Sequence, residues 1–160
     1  MTEIEKNTRE ICLDKMEELM PLIRERLASG QSVKFSPSGI SMLPMIRQGR
    51  DEVILSSPPS RLKKYDIPLY QRENGKYILH RVVRVGETYT CIGDNQFVFE
   101  EGVSHESVIA VVSAFVRDGK MKSVNSLSYW LYCRMWHYSR YPRRKMRGLK
   151  NRISALLRKR

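Results

Sequence analysis

Apolar positions near the start of the chain recur at threes and fours: Ile11, Leu13, Met16, Leu19, Met20, Ile23 and Leu27 are set among Glu, Lys and Arg. That period predicts an amphipathic helix over 8–28 with its apolar stripe packed on the domain that follows, and Gly30 ends it. Beyond Gly30 the texture shortens to runs of β-branched and aromatic residues. Strands are predicted over 32–35, 52–56, 66–71, 76–85, 88–92, 108–117 and 120–124. The run over 76–85 puts His80 on the same strand face as Ile78 and Val82. Reversals between runs carry turn residues: Ser57-Pro58-Pro59, Glu73-Asn74-Gly75, Gly93-Asp94-Asn95 and Asp118-Gly119. Pro68 cannot donate to a ladder, which predicts an edge strand or a bulge there.

Past Val124 the pattern changes again. Six aromatic side chains, Tyr129, Trp130, Tyr132, Trp136, Tyr138 and Tyr141, fall between 127 and 141. After Pro142, the residues Met146, Leu149, Ile153, Leu156 and Leu157 share one side of a helical projection and are surrounded by Lys and Arg. The predicted organisation is an N-terminal amphipathic helix over 1–30, a β-rich domain over 31–124, and an aromatic, basic helical tail over 125–160. The fold class is mostly β with flanking helices.

Charge divides along the same boundary. The 160 residues carry a formal +12, but from Ser123 onward there are eleven Lys or Arg and no Asp or Glu, leaving 1–122 close to neutral. The basicity therefore belongs to the tail, and clustered cations beside Trp and Tyr suit an anionic membrane surface reached through 127–160. An acidic precursor or nucleic acid is the competing partner, and a tail folded onto its own domain is the third reading. No helix-turn-helix, zinc-finger or aromatic RNA-binding motif accompanies the charge, which argues against nucleic acid. Cys12, Cys91 and Cys133 are odd in number and have neither a disulfide framework nor zinc-ligand spacing. A reducing compartment and no metal or organic cofactor are expected. The first thirty residues interleave charge with apolar positions, unlike a secretory signal, and no apolar run reaches the roughly eighteen residues of a span. The expectation is a cytoplasmic protein, peripheral on the inner membrane face where the tail attaches it.

The chemistry-bearing candidates lie in the β-rich domain. Gly39-Ile40-Ser41-Met42-Leu43-Pro44 sets a serine between a glycine that permits close backbone approach and a proline that ends regular structure, presenting a hydroxyl at a sharp turn. A serine hydroxyl needs an adjacent base. His80, flanked by Ile78 and Val82, is the best candidate, because a partly desolvated, neutral imidazole is suited to taking a proton near pH 7. Lys76 is the alternative base, four residues away and so about 13 Å along a strand.

Four ordered boxes, Ser41-Met42-Leu43-Pro44, Tyr65-Asp66-Ile67-Pro68-Leu69-Tyr70, His80-Arg81 and Gly93-Asp94-Asn95, resemble those of the signal peptidase family and, more distantly, the self-cleaving repressor peptidases of the same clan. The resemblance covers roughly residues 34 to 117. It implies a signal-peptidase-like β fold and a serine endopeptidase in which Ser41 attacks the scissile carbonyl and His80 is its base, as in the endoplasmic-reticulum, archaeal and sporulation-type branch. For the carboxylate that supports the histidine, the Gly-Asp-Asn box offers Asp94, and the histidine branch's usual position a few residues further on offers Glu100 or Glu101. The flanking Gly39, Ile40, Met42 and Pro44 are the expected substrate-binding residues. Gly39 replaces the serine that many bacterial relatives carry two residues before the nucleophile, so backbone N–H groups near Ser41 must form the oxyanion hole. Arg50 interrupts the family's Gly-Asp pair at Gly49 and Asp51. The implied substrate is a precursor or leader peptide. Competing functions are a non-catalytic peptide-binding or regulatory relative of the fold, a basic nucleic-acid or membrane-surface binding protein, and a self-cleaving switch; the last lacks a DNA-reading domain within 1–30.

Overall fold

The computed structural model describes residues 16–157 and, in the last helix, side chains as far as Gly148. In chain order the elements are α1 (Met16–Ala28), β1 (Val33–Phe35), β2 (Asp51–Ser56), β3 (Pro68–Gln71), β4 (Tyr77–Leu79), β5 (Arg81–Val85), β6 (Tyr89–Ile92), β7 (Glu100–Val103), β8 (Val108–Arg117), β9 (Lys120–Ser123), α2 (Leu127–Tyr138) and α3 (Arg140–Leu157). The chain divides into two compact units at Leu127. The first holds α1 and the strands, the second α2 and α3. The fold is mostly β, with two antiparallel sheets and flanking helices.

α1 buries Met16, Met20, Ile23 and Leu27, the stripe that its period dictates; Ile11 and Leu13 lie outside the described residues. One sheet runs β1-β2-β8-β3-β4 with β9 also on β8, and the other runs β5-β6-β7. The ten-residue β8 organises the first sheet: Val108 to Val111 pair with β3, Ala114 to Arg117 with β9, and β2 pairs with Val111 to Arg117. Tyr70 and Val108 from the first sheet meet Val82, Tyr89, Cys91 and Val103 from the second, with Leu62, in one buried cluster. Full burial of side chains of this size stabilises by about 1.5–3 kcal/mol each. The same cluster holds the two sheets together.

The run over 76–85 is not one strand. β4 ends at Leu79 in the first sheet and β5 begins at Arg81 in the second, so His80 is the residue at which the chain passes between sheets. Leu79 pairs with Leu69 while Arg81 pairs with Ile92. Those distant partners bend a segment that contains no turn residue. Nor is Pro68 on an edge: β3 lies between β8 and β4. Pro68 is its first residue, where a missing donor is tolerated, and the register shifts beside it between Leu69 and Tyr70. β7 was not predicted, because Glu100-Glu101-Gly102 has poor strand propensity; pairing of Tyr89 with Val103 and Cys91 with Glu100 forms it. In the second unit Ser139 separates two helices, and Pro142 falls in the first turn of α3, where an N–H has no intrahelical acceptor anyway.

Candidate active site

Ser41 sits in a turn held from three sides. Gly39 adopts φ +89°, a conformation that favours glycine, and its N–H donates to Gln48 Oε1 at 2.9 Å. After the serine, Ile46 N–H donates to Met42 O at 2.9 Å, and Met42, Met45 and Ile46 are buried as anchors. From the second sheet's side, Asn95 N–H donates to Ser41 O at 2.8 Å and Asn95 Nδ2 to Ile40 O at 3.2 Å. A Cβ on Gly93 would stand 2.6 Å from Ser41 O, closer than any side chain allows. The Gly-Asp-Asn turn is therefore a clamp on the Ser41 backbone. Among the described residues the N–H groups of Ser41 and Met42 have no acceptor.

A fourth restraint lies behind the turn. Asp51, fully buried, accepts from Arg47 Nη2 at 2.8 Å and Arg117 Nη2 at 2.8 Å, and Arg117 also donates to Met45 O. Burial pushes the Asp51 carboxyl up, but the hydrogen bonds from Arg47 and Arg117 outweigh it and hold it at about 2. Arg50 is an exposed turn residue, so the interruption between Gly49 and Asp51 lengthens the turn and leaves Asp51 at the start of β2.

His80 lines the same small cleft as Ser41, of about 60 Å³, together with Gly39, Met42, Ile46 and Ile78. The imidazole is 4% exposed. Its Nδ1 lies 3.5 Å from Glu100 Oε2 and 3.4 Å from Tyr70 Oη. Among the described residues Nε2 makes no hydrogen bond, and none joins His80 to Ser41 Oγ. Burial holds the imidazole below its ordinary value, against the opposing attraction of Glu100. It is neutral at pH 7.

Glu100, on β7, is itself held firmly. Arg72 donates to it through Nε and Nη2, each at 2.6 Å, and Tyr70 Oη donates to Oε2 at 2.6 Å. Burial pushes this carboxyl up, yet Arg72 and Tyr70 more than offset it, and Glu100 stays below the usual carboxylate range. Tyr70 is pushed well above its ordinary value by burial and by Glu100, so it remains a donor. Neither Arg72 nor Tyr70 was identified from the sequence. Their signal was the position of both around the end of a predicted strand that also holds the second box.

The two acidic candidates thus separate. Asp94 is paired with Arg81, Nε to Oδ1 at 2.8 Å and Nη2 to Oδ2 at 2.7 Å, buried on both sides, and acts on His80 only through its charge, the last of the causes that shift the ring. That fork fixes the Gly-Asp-Asn turn to the residue after His80. Glu101 and Lys76 are exposed, and Lys76 does not line the cleft. Of the expected substrate-binding residues, Gly39 and Met42 line the cleft, whereas Ile40, 66% exposed, and Pro44 do not, since the turn directs them to solvent. Cys91 belongs to the shared core, and burial pushes its thiol up to about 12, which removes it as a nucleophile. Among the described residues no three His, Cys, Asp or Glu side chains converge as metal ligands, and no helix is long and apolar enough to cross a membrane. Comparison with protein families, with curated proteins and with solved structures finds no match to this chain.

Proposed function

We propose that the chain is a serine endopeptidase of the signal-peptidase type, acting on a precursor or leader peptide through Ser41, His80 and Glu100. The observation that carries the reading is a neutral, buried histidine lining the serine's cleft with a carboxylate at its Nδ1. Ser41 Oγ attacks the scissile carbonyl carbon while His80 Nε2 takes its proton. Glu100 orients the ring through Nδ1 and stabilises the imidazolium as it forms. The oxyanion accepts from the Ser41 and Met42 N–H groups, which have no acceptor among the described residues. Collapse breaks the peptide bond, His80 returns the proton to the leaving amine, and a water activated by the same imidazole hydrolyses the acyl-enzyme. The two-sheet arrangement is read as the fold of that family. A cleft of about 60 Å³ beside Ser41 suits a small side chain before the cut.

A peptide library incubated with the protein and read by mass spectrometry tests this. The expected result is a set of cuts after small residues that vanishes in Ser41→Ala. A second reading, a non-catalytic peptide-binding relative, draws on the absence of a Ser41 to His80 hydrogen bond among the described residues. It predicts that wild type and Ser41→Ala retain the same uncut peptides.

A further inference from the structure

Leu127, Trp130, Leu131, Met135 and Tyr138 recur at threes and fours along α2 and share one face. All are exposed, Leu127 by 79%, Met135 by 62% and Tyr138 by 72%, while Tyr129 and Cys133 on the other side of the helix are buried. A contiguous apolar stripe left in water marks an interaction surface. What it fits is indicated by its surroundings. Arg134 lies 3.5 Å from the Trp130 ring, Arg143 3.5 Å from the Trp136 ring and Lys145 4.8 Å from the Tyr141 ring. In α3, Tyr141 and Met146 are 68% and 70% exposed. No acidic residue occurs among the eleven Lys and Arg from Ser123 onward.

From this combination we infer that the second unit docks on an anionic bilayer, with the α2 stripe at the boundary between headgroups and acyl chains and the cations on the lipid phosphates. Rings with an apolar body and a cation on the face are suited to that depth, and the net positive charge of the segment is complementary to anionic headgroups. A nucleic acid would use the cations but has no use for Leu127, Leu131 and Met135, which neither pair with phosphate nor stack on bases. The inference goes beyond the peptidase reading and does not depend on it.

Both tryptophans of the chain, Trp130 and Trp136, lie in α2, so selectively excited tryptophan emission of the full protein reports on this helix. Vesicles of phosphatidylcholine, with and without phosphatidylglycerol, are titrated while tryptophan emission and co-sedimentation are followed. The expected result is a blue shift and sedimentation with the phosphatidylglycerol vesicles only. Leu131→Ser with Met135→Ser should weaken binding at least about tenfold by removing buried apolar area. Arg144→Gln with Lys145→Gln should weaken it about thirtyfold, the share of two cations at such a surface. All four positions are exposed, so circular dichroism should be unchanged, and Ser41→Ala should bind like wild type. Failure to bind phosphatidylglycerol vesicles, equal binding to neutral ones, or full-strength binding by the Leu131 and Met135 variant would overturn the inference. So would displacement from vesicles by duplex DNA, which would assign the surface to nucleic acid.

Discussion

Replacing Asp51 with Asn is expected to remove part of the protein's resistance to acid and to loosen the turn that carries Ser41. The carboxylate is fully buried beneath that turn and accepts from both Arg47 and Arg117. Burial alone would raise its pKa, but the arginine hydrogen bonds hold it at about 2 against an ordinary value of 3.8. At about 1.4 kcal/mol per unit, that depression contributes roughly 2 kcal/mol to folding at pH 7. Because the folded value lies below the unfolded one, the contribution is present above the unfolded value of 3.8 and is lost as pH falls through about 2; about 1 kcal/mol remains at pH 3. Urea unfolding of wild type and Asp51→Asn, followed by far-ultraviolet circular dichroism at pH 7 and pH 3, measures it. The gap between the two proteins should narrow by about 1 kcal/mol on going to pH 3. A gap that stays constant or widens would refute the assignment of Asp51 as a buried anion.

Three further outcomes concern the site itself. Gly93→Ala places a methyl group 2.6 Å from Ser41 O and must displace the Ser41 backbone; for the proposed nucleophile a misplacement of about 1 Å costs on the order of 10² in rate, so peptide cleavage should fall while circular dichroism stays near wild type. In wild type the acid limb of the pH–rate profile should lie below the ordinary histidine value of 6.5, because burial lowers the His80 pKa and the proposed mechanism uses the neutral ring as base. Glu100→Gln removes the charge that opposes this lowering, so the limb should move to still lower pH while the rate falls by about 10²–10⁴; a limb moving upward would contradict the pairing.

The elements with a clear period could be read from the chain. α1, β2 and β8 follow their apolar spacing, and the segments around Ser41 and Gly93-Asp94-Asn95 are turns, as their residues predict. What the boxes did not convey is why they occur together. Gly93 lies against the Ser41 carbonyl, Asn95 holds it, and Asp94 grips Arg81 beside His80, so the fourth box reaches the first across more than fifty residues and the third across 13. The passage between sheets at His80 was hidden because only its distant partners bend it. The choice between Asp94 and Glu100 was hidden for a related reason. Both are acids near the box, and what separates them is which cation lies opposite, Arg81 for one and Arg72 for the other. β7, which delivers Glu100, has a sequence that resembles a loop and is a strand only because β6 pairs with it.

The central claim, that Ser41 and His80 act as one unit, is tested most directly by cleavage rates of a library-derived peptide with wild type, Ser41→Ala, His80→Ala and the double variant. Residues that work as a unit lose nearly everything with the first removal, up to roughly 10⁶ in turnover. Losses of similar size are expected in all three variants. Cleavage that survives both single substitutions, or losses that multiply in the double variant, would contradict it.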